Sequence, residues 1–597
     1  MSALPTRVRF GLSPKGQKEY VNYVNERLLT LCELPVTPLG PAYSEMNKQD
    51  VQDNLILYRL SKGFEKPCAK SAKERKDRSL LDVLAYDGCG IKQFTPSHME
   101  LDPFIRKALY ETRNNIRTHA RSYVFDVGSL EITNGETFVS AQGDTSILAK
   151  LRDVEQWTVT EDCFDLAVRV CYTSRALKRQ VKYHFWNKYK DLNTGRVSIR
   201  TRRRVLNELY LKPCVSDKTI GYSTFYHMME SVVTFVRGAR FTTVPKNNEK
   251  DRVIECECLL NMIVQRVIAH GIRQVIRKDF GIDLEHSQDL HKKLIQDTDN
   301  ATVDLANASN SVWMSVIEWF LGDTHIFKHV KASRSEMVLI DGDYHLLNMV
   351  APMGNGYTFE LMTWVLLELS RYLDDFSFVY GDDIIIHKDV AENLVHILST
   401  IGFQTNVQKT FLSGPFRESC GGFTFNGEYL TSYDFKWAPD MYHALINVNK
   451  LRLIIAHASP SLRVYLEDVY HDILKVTNAL CFASGDPRDC TLDQGIIVTT
   501  KYLDKIRWKD KSYREVHAAV KQHFADLIVN YQLTHVHTKV LFSISSRKYR
   551  HAPRVVRDPH WVSYYLYGGR VTPPTYRKTK HGFKYVLCEL GHPTGLS

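Results

Sequence analysis

Two adjacent aspartates stand between two apolar stretches in a pattern that could bind a metal ion. Asp382 and Asp383 follow Gly381, with Phe376 to Tyr380 before them and Ile384 to Ile386 after them. The pattern predicts a β-hairpin, and the glycine permits the tight turn that a hairpin tip needs. Two carboxylates side by side, with no opposite charge in the local sequence, favour a bound cation, and hard oxygen ligands suit a divalent metal. Taken singly, each aspartate is better explained by an ordinary turn, in which aspartate is common.

Asp304 is the expected third carboxylate of this group. It lies near the end of the apolar stretch Ala301 to Leu305, which predicts a short strand that could lie beside the hairpin. Three carboxylates without a nearby nucleophilic serine or cysteine are typical of nucleotidyl transfer with two Mg²⁺ ions about 4 Å apart. One ion would lower the pKa of an attacking 3′-hydroxyl group, and the other would hold a triphosphate. The simpler interpretation of Asp304 alone is a strand-end cap.

The hydrophobic pattern around these aspartates predicts alternating strands and helices. In chain order they are the strand at 301–305, a helix capped by Ser311 and ending at Gly322, an irregular insert, a buried helix from Phe359 to Leu373, the two hairpin strands, a helix capped by Asp389 and ending before Gly402, and a strand from Phe403 to Phe411. This order, β-α-(insert)-α-β-β-α-β, is a split βαβ unit with an extra helix. The predicted fold class is therefore α+β.

Composition sets the broad class of protein. The chain has 597 residues, of which 44% are hydrophobic and 24% charged, which is ordinary for a globular protein with a large core. Collagen-like, disordered and mini-protein classes are excluded. The formal net charge of +11 favours a polyanionic partner, and nucleic acid is the leading candidate.

The twelve cysteines predict neither a disulfide framework nor structural zinc. They show no zinc-type spacing, and the closest pair is Cys256 and Cys258, so we expect reduced thiols. The first residues lack the apolar segment of a secretory signal, and no apolar run approaches the length that spans a bilayer. We therefore expect a soluble intracellular protein with no membrane partner.

Five ordered segments resemble the motifs of one enzyme family. They are Thr243 to Asn247 with Asp251 and Arg252, Ala301 to Leu305, Met353 to Leu361, Val379 to Ile385, and Gly414 to Gly421. The second, third and fourth are similar to motifs A, B and C of RNA-dependent RNA polymerases. Together the five resemble the replicase catalytic subunits of single-stranded RNA bacteriophages of the levivirus, Qβ type.

This resemblance implies a right-hand polymerase with palm, fingers and thumb, in which Asp304, Asp382 and Asp383 bind two Mg²⁺ ions, with Mn²⁺ as an alternative. The implied reaction is template-directed RNA synthesis from ribonucleoside triphosphates, with initiation that needs no primer. The implied domains are an N-terminal region and fingers at 1–300, with a basic motif at about 243–252; a palm at 301–430, with a fingers insert at about 323–350; and a thumb with a basic, aromatic C-terminal region at 431–597.

The resemblance also implies nucleotide-binding residues. Lys246, Lys250 and Arg252 match a basic fingers motif that grips the triphosphate, although for these residues taken alone a solvated basic loop is the commoner interpretation. Gly354 lets the backbone approach a ligand closely, and Asn355 would contact the ribose of the incoming nucleotide. Without the neighbouring motifs, a glycine-rich start of a helix is the commoner interpretation.

Two further positions receive roles from the same resemblance. Lys409, expected on the strand after Gly402, corresponds to a lysine thought to protonate the leaving pyrophosphate. Asn310 stands where the family carries a second acidic residue of motif A, six positions after Asp304. An asparagine loses the charge-assisted bond to a 2′-hydroxyl, so we expect weaker sugar discrimination or a compensating contact.

The implied partners are RNA, ribonucleoside triphosphates, host elongation factors Tu and Ts, and a ribosomal RNA-binding protein, in the cytoplasm of an infected bacterium. The stretch from Leu541 onward mixes basic and aromatic residues, which favours RNA binding, with an ordinary thumb as the alternative. Two other functions stay open: a reverse transcriptase, and a non-catalytic RNA-binding scaffold.

Overall fold

The computed structural model describes most of the chain up to residue 476 and four short strands beyond it. The described residues are 14–64, 72–133, 135–139, 147–191, 194–215, 219–246, 251–439, 441–476, 481–483, 496–498, 540–543 and 584–587. They fall into two compact units, one containing residues 14–64 and 423–476 and the other residues 72–422.

The described α-helices are α1 (Pro14–Leu31), α2 (Lys48–Gly63), α3 (Ala72–Gly88), α4 (Pro103–His119), α5 (Ile147–Arg152), α6 (Phe164–Thr173), α7 (Arg175–Asn187), α8 (Ile199–Tyr210), α9 (Ile220–Glu230), α10 (Leu259–Phe280), α11 (Ser287–Leu294), α12 (Met314–Leu321), α13 (His325–Ser333), α14 (Thr358–Leu373), α15 (Lys388–Thr400), α16 (Met441–Ile455) and α17 (Pro460–Val476). None of the helices in these ranges carries the long apolar stretch that a bilayer crossing requires.

The described strands are β1 (Thr158–Val159), β2 (Thr234–Phe235), β3 (Gly238–Pro245), β4 (Asp251–Cys256), β5 (Asn300–Val303), β6 (Leu305–Ala306), β7 (Met337–Ile340), β8 (Asp343–Leu346), β9 (Phe378–Tyr380), β10 (Asp383–His387), β11 (Gln404–Thr405), β12 (Phe416–Ser419), β13 (Gly422–Phe425), β14 (Glu428–Tyr429), β15 (Cys481–Ala483), β16 (Ile496–Val498), β17 (Val540–Ser543) and β18 (Lys584–Leu587). Mixed helix and sheet confirms the α+β class.

The unit formed by residues 14–64 and 423–476 is a small helical core. Apolar faces of α1, α2, α16 and α17 pack together in it. The segment between β14 and α16 has no regular structure, so its backbone groups need other partners. Buried Asn25 donates to the carbonyl of Ala438 and accepts from its N–H, both at 2.9 Å. Gln52 pairs with the backbone of Thr431 in the same way, at 2.7 and 2.9 Å. These side chains fix the irregular segment on the helices.

The unit formed by residues 72–422 is built around α10 and α14, which pack on each other. Both helices are buried on nearly every side, as the sequence predicts for α14. Beside them β5, β10 and β9 form a sheet with β10 in the middle, and β6 pairs with β11. A second sheet has the order β4-β3-β7-β8, so the insert at 323–350 contributes β7, which runs parallel to β3.

Three predicted turns are confirmed by positive φ angles that favour glycine. Gly322 ends α12 with φ 36°, Gly402 follows α15 with φ 90°, and Gly381 forms the hairpin turn with φ 65°. From Cys32 to Cys420, the eight cysteines in the described ranges are free thiols.

Two predicted helix caps are wrong. Ser311 does not cap α12, because it closes a short 3₁₀ turn and its hydroxyl donates to the carbonyl of Asn307 at 3.1 Å. Asp389 does not cap α15, because it lies one residue inside the helix. The Asp389 N–H donates to Nδ1 of His387 at 3.3 Å, so the histidine is the cap.

The predicted strand from Phe403 to Phe411 is also wrong over most of its length. Only Gln404–Thr405 is a strand. The chain then turns, with the N–H of Lys409 donating to the carbonyl of Asn406 at 2.9 Å. Phe411 returns to pair with Thr302 as an isolated bridge. The turn therefore brings the side chains of Asn406 and Lys409 beside Asp304, which follows β5.

Candidate active site

The register of β5 and β10 brings the three predicted aspartates together. Val303 pairs with Ile384 in this antiparallel sheet, so the next opposing positions along the two chains are Asp304 and Asp383. Opposing residues in such a pair have Cβ atoms about 5 Å apart. Asp382 precedes Asp383 in the two-residue turn that joins β9 and β10. Asp383 therefore begins β10, Asp304 directly follows the neighbouring strand β5, and Asp382 is adjacent to Asp383 in sequence.

The hairpin turn packs on α14 and is hydrogen-bonded to it. The N–H of Gly381 donates to Oγ1 of Thr363 at 3.0 Å. A Cβ atom on this glycine would lie 2.7 Å from the ring of Phe359, which is closer than Cβ atoms pack. The predicted need for glycine therefore has two causes, the positive φ angle and the aromatic ring beneath the turn.

Asp304 is 6% exposed, and its carboxylate has two polar neighbours from the turn after β11. Nδ2 of Asn406 donates to Oδ2 at 2.7 Å, and Nζ of Lys409 lies 3.8 Å from Oδ1. Burial raises the pKa of Asp304 to about 6; Lys409 and Asn406 oppose the rise, and Asp382 and Asp383 add to it.

Glu418 is a fourth carboxylate at this site, and the sequence analysis missed it. It lies on β12 with 4% of its surface exposed, and its Oε2 atom is 3.9 Å from Nζ of Lys409. Burial raises the pKa of Glu418 to about 7. The charge of Lys409 opposes this rise, and that of Asp383 adds to it. Burial lowers the pKa of Lys409, but Glu418 and Asp304 outweigh it, so that the lysine pKa is raised. Lys409 thus bridges two carboxylates as an ammonium ion.

Arg417 places Glu418 beside Asp304. Its guanidinium group is 1% exposed and donates to the carbonyls of Thr298 at 3.0 Å, Gly414 at 2.6 Å and Asn300. These bonds tie β12 to the loop that precedes β5. The segment Gly414 to Gly421 resembles a family motif and Glu418 is its one acidic residue, but its spacing from the aspartates along the chain does not place it beside them.

Cys420 and Asp383 are also in contact. The Sγ atom of Cys420 donates to Oδ2 of Asp383 at 3.3 Å. Burial raises the pKa of the Cys420 thiol, and Asp383 raises it further, so the sulfur stays protonated. Burial also raises the pKa of Asp383, with the neighbouring Asp382 as the second cause.

The chemistry of this donor set fits a divalent cation. Four carboxylates, of Asp304, Asp382, Asp383 and Glu418, face one ammonium group, and Oε2 of Glu418 is buried without a hydrogen-bond partner among the described residues. Hard oxygen ligands of this kind suit Mg²⁺ or Mn²⁺. Within the described ranges, no three acidic, histidine or cysteine side chains are already close enough together to hold an ion. Binding would therefore require the carboxylates to turn toward a shared ion.

The segment with Gly354 and Asn355 packs against β4. The N–H of Glu255 donates to the carbonyl of Met353 at 2.7 Å, and a Cβ atom on Gly354 would lie 2.3 Å from the Glu255 carbonyl oxygen. Nδ2 of Asn355 donates to Oε1 of Glu257 at 3.1 Å. Oδ1 of Asn355 accepts a hydrogen bond from the N–H of Tyr357 at 3.1 Å. The amide of Asn355 thus has protein partners on both sides, which leaves one N–H and one lone pair for a ligand.

The basic residues predicted to grip a triphosphate lie at one end of the β3–β4 hairpin. Val244 pairs with Arg252, and Lys246 follows β3 by one residue; Arg252 and Lys246 are exposed. Lys250 lies outside the described residues. Asn310 is half-buried in the 3₁₀ turn that follows β6, and its N–H donates to the carbonyl of Asn307 at 2.9 Å.

Comparison with solved structures gives weak matches to viral polymerases. A chain from an in situ structure of BmCPV RNA-dependent RNA polymerase at the elongation state is 11% identical, with 64% of this chain and 34% of that chain covered and a TM-score of 0.33. A foamy viral protease-reverse transcriptase is 14% identical; the match covers 52% of this chain and 59% of that chain, with a TM-score of 0.24. TM-scores this low support no conclusion about the fold.

Comparison with curated proteins gives consistent matches to phage enzymes. The RNA-directed RNA polymerase beta chain of Enterobacteria phage fr is 32% identical over 252 residues, which cover 40% of this chain and 46% of the relative. The RNA-directed RNA polymerase beta chain of Escherichia phage MS2 is 34% identical over 221 residues, which cover 35% of this chain and 40% of the relative. The beta subunit of Escherichia virus Qbeta is 36% identical over 204 residues, covering 32% and 34%. The chain therefore spans less than half the length of these relatives.

A family model gives the broadest match. The model described as RNA replicase, beta-chain, matches residues 132–453, which include all of the carboxylates described above. Since this match spans more than half of the 597 residues, the chain belongs to the RNA replicase beta-chain family.

Proposed function

We propose that the chain synthesises RNA from ribonucleoside triphosphates on an RNA template and replicates the genome of a single-stranded RNA phage. The observation that carries this proposal is the position of Asp304, opposite Asp383 in the register of β5 and β10. Three carboxylates converging at a hairpin tip, with no serine or cysteine nucleophile required, suit metal-assisted nucleotidyl transfer. Membership of the replicase family supports RNA as both template and product.

The proposed architecture is a right-hand polymerase. The sheet of β5, β10 and β9 with α14 and α15 would be the palm, with bounds of about 301–430. The sheet β4-β3-β7-β8 would belong to the fingers, since it joins the basic hairpin to the insert at 323–350. Residues 431–597 would include the thumb.

Asp304, Asp382 and Asp383 are the residues that would hold two Mg²⁺ ions, or Mn²⁺. When bound, such ions supply a lowered pKa for an attacking 3′-hydroxyl and a counter-charge for the pyrophosphate. The chain's own groups prepare the site: Asn406 orients the Asp304 carboxylate by its 2.7 Å bond, and Lys409 offsets negative charge. Lys409 carries a proton within the site and is the proposed donor to the leaving group.

The nucleotide would be bound by groups that converge on α14 and the basic hairpin. We assign Lys246, Lys250 and Arg252 to the triphosphate and Asn355, presented by the close approach of Gly354 to β4, to the ribose. Asn310 would face the 2′-hydroxyl. The assignment is supported by the contact between the Gly354 backbone and Glu255 on β4, which joins the two nucleotide-binding segments.

Further partners rest on the family alone. We propose that the chain acts in the cytoplasm of an infected bacterium with host elongation factors Tu and Ts and a ribosomal RNA-binding protein. Co-purification from an infected host, followed by mass spectrometry of the associated proteins, tests this assignment. The predicted basic and aromatic C-terminal region lies outside the described residues except for β17 and β18.

Incorporation of labelled nucleotide on a defined RNA template tests the function. Wild type should incorporate ribonucleotides, and Asp382→Asn should lose nearly all incorporation while RNA binding is retained. Asp375→Asn is the matched control, because Asp375 is an exposed aspartate a few residues before β9, and it should remain active. Incorporation of deoxyribonucleotides in preference to ribonucleotides would identify a reverse transcriptase. An Asp382→Asn variant identical to wild type in every property would identify a non-catalytic scaffold.

A further inference from the structure

Residues 175–212, on α7, α8 and the loop between them, carry an unusual density of positive charge. The basic residues there are Arg175, Lys178, Arg179, Lys182, Lys188, Lys190, Arg196, Arg200, Arg202, Arg203, Arg204 and Lys212. Only Asp191 and Glu208 are acidic. The segment therefore has a net charge of +10, whereas the whole chain has +11. We call the surface formed by these cations the α7–α8 basic face.

On α7 the cations form one stripe. Arg175, Lys178, Arg179 and Lys182 recur at helical spacing and are exposed or half-buried. The opposite side of the helix, which includes Leu177, is buried on the core. The packing of α7 therefore exposes Arg175, Arg179 and Lys182 to solvent, while Nζ of Lys178 lies 3.4 Å from the centre of the Tyr172 ring.

On α8 the pattern repeats. Arg200, Arg203 and Arg204 lie at i, i+3 and i+4 and are exposed, while the apolar side of the helix is buried. Arg202 lies over the ring of Trp186, which belongs to α7, with its guanidinium carbon 5.4 Å from the ring centre. This cation–π contact connects α8 to α7.

Protein carboxylates neutralise little of this charge. Among the described residues, two of the twelve cations form ion pairs: Arg204 with Glu208 at 3.7 Å, and Lys212 with Glu230 at 3.6 Å. The carboxylates and cations of both pairs are largely exposed, so these pairs are weak. A concentration of like charge raises the energy of the folded protein unless an external polyanion binds to it.

Exposed aromatic rings accompany the cations. Tyr183 on α7 is 51% exposed and Tyr210 on α8 is 56% exposed. Nζ of Lys190 lies 5.0 Å from the centre of the Tyr183 ring. Basic side chains with aromatic rings among them are typical of surfaces that bind the backbone and stack the bases of single-stranded nucleic acid.

We propose that the α7–α8 basic face is a second RNA-binding surface, which holds single-stranded RNA outside the carboxylate site. The face packs on the core through α6 and α9, whereas the aspartate hairpin packs on α11, α14 and α15. A polyanion fits better than an acidic protein, because a nucleic acid strand presents one phosphate per nucleotide along its length and the cations are spread along two helices. Exposed tyrosines favour unpaired bases over a duplex, whose bases are already stacked.

The proposal predicts a specific salt dependence. Each phosphate of a single strand that is neutralised by a cation contributes about 0.7 to the slope of log affinity against log salt concentration. Removing three cations that contact RNA should therefore flatten the slope by about 2. At about 0.1 M salt the same loss weakens binding by up to about 100-fold.

The test compares two charge-matched variants of the full chain. The first carries Arg200→Gln, Arg203→Gln and Arg204→Gln. The control carries Lys107→Gln and Lys328→Gln on exposed surfaces of α4 and α13, with Lys331→Gln completing the set. Binding of a fluorescein-labelled oligouridine of about 20 nucleotides is measured by anisotropy from about 50 to about 300 mM NaCl. The α8 variant should show the flattened slope, and the control should match wild type.

Photo-crosslinking with a 4-thiouridine oligonucleotide locates the contact independently of affinity. Cross-linked peptides should map to residues 175–212 in wild type and should be lost in the α8 variant. An unchanged slope, an equal loss in the control, or cross-links confined to other segments would overturn the proposal. Because no readout requires nucleotide incorporation, this outcome is independent of whether the proposed polymerase activity holds.

Discussion

Replacing Asn406 by alanine should make Mg²⁺ binding at the carboxylate site more sensitive to acid. Nδ2 of Asn406 donates to Oδ2 of Asp304 at 2.7 Å, and this bond stabilises the ionised carboxylate. Without it the pKa of Asp304 must rise further. A divalent metal binds only the ionised form, so protons compete with the metal over a wider range of pH.

The size of the effect follows from the strength of the bond. A hydrogen bond to a charged group is worth about 1.5–3 kcal/mol, and about 1.4 kcal/mol corresponds to one pKa unit. The pKa of Asp304, about 6 in the native chain, should rise by about 1–2 units. With a variant pKa of about 7.5, the Mg²⁺ concentration required for half-maximal incorporation should rise about eightfold at pH 6.5 and by only about a tenth at pH 8.5.

The assay is nucleotide incorporation titrated with Mg²⁺ at the two pH values. Asn115→Ala serves as the control, because Asn115 is exposed on α4, and its Mg²⁺ requirement should follow wild type at both pH values. If Asn406→Ala changes the requirement by the same factor at pH 6.5 and pH 8.5, the hydrogen bond does not set the ionisation of Asp304. The reasoning is then refuted.

Three further changes test other parts of the account. Gly381→Ala should lower incorporation, and in denaturant unfolding it should cost more stability than Gly281→Ala. Both glycines have positive φ angles, of 65° and 70°, but only a Cβ atom at Gly381 would lie 2.7 Å from the ring of Phe359. Equal losses of stability would show that this contact has no role. Glu255→Gln should become more stable relative to wild type as the pH rises above about 5. The difference in their free energies of unfolding should grow by at most about 1.4 kcal/mol per pH unit. Burial raises the pKa of Glu255, so the wild type loses stability as the pH rises from the unfolded value of 4.5 toward the folded one, and parallel pH profiles of unfolding would contradict this. Asn310→Asp should raise the preference for ATP over dATP, measured as kcat/KM, by about fivefold if this position contacts the 2′-hydroxyl, and an unchanged ratio would exclude that contact.

Local sequence pattern was sufficient for the elements whose residues act within one segment. α14 is recognised because the stretch from Phe359 to Leu373 is apolar on nearly every face, and the hairpin because Gly381 separates two apolar stretches. The convergence of Asp304 with the hairpin was predictable as well, since a split βαβ unit places those strands side by side.

The residues that complete the site were not predictable, because tertiary contacts position them. The stretch from Phe403 to Phe411 is predicted as one strand, but the chain leaves the sheet at Asn406, and the side chain of Asn406 reaches Asp304. Glu418 lies in a short strand whose register depends on carbonyls bonded by Arg417, more than a hundred residues away in sequence. No local signal distinguishes such a buried carboxylate from a solvated one.

Anomalous scattering from Mn²⁺ in crystals of the chain with RNA and a non-hydrolysable ribonucleoside triphosphate would test the central claim most directly. The account predicts density for manganese between Asp304 and the hairpin carboxylates of Asp382 and Asp383, with the triphosphate on the side of Arg252. Manganese bound elsewhere, or a triphosphate held without contact to these three carboxylates, would contradict it.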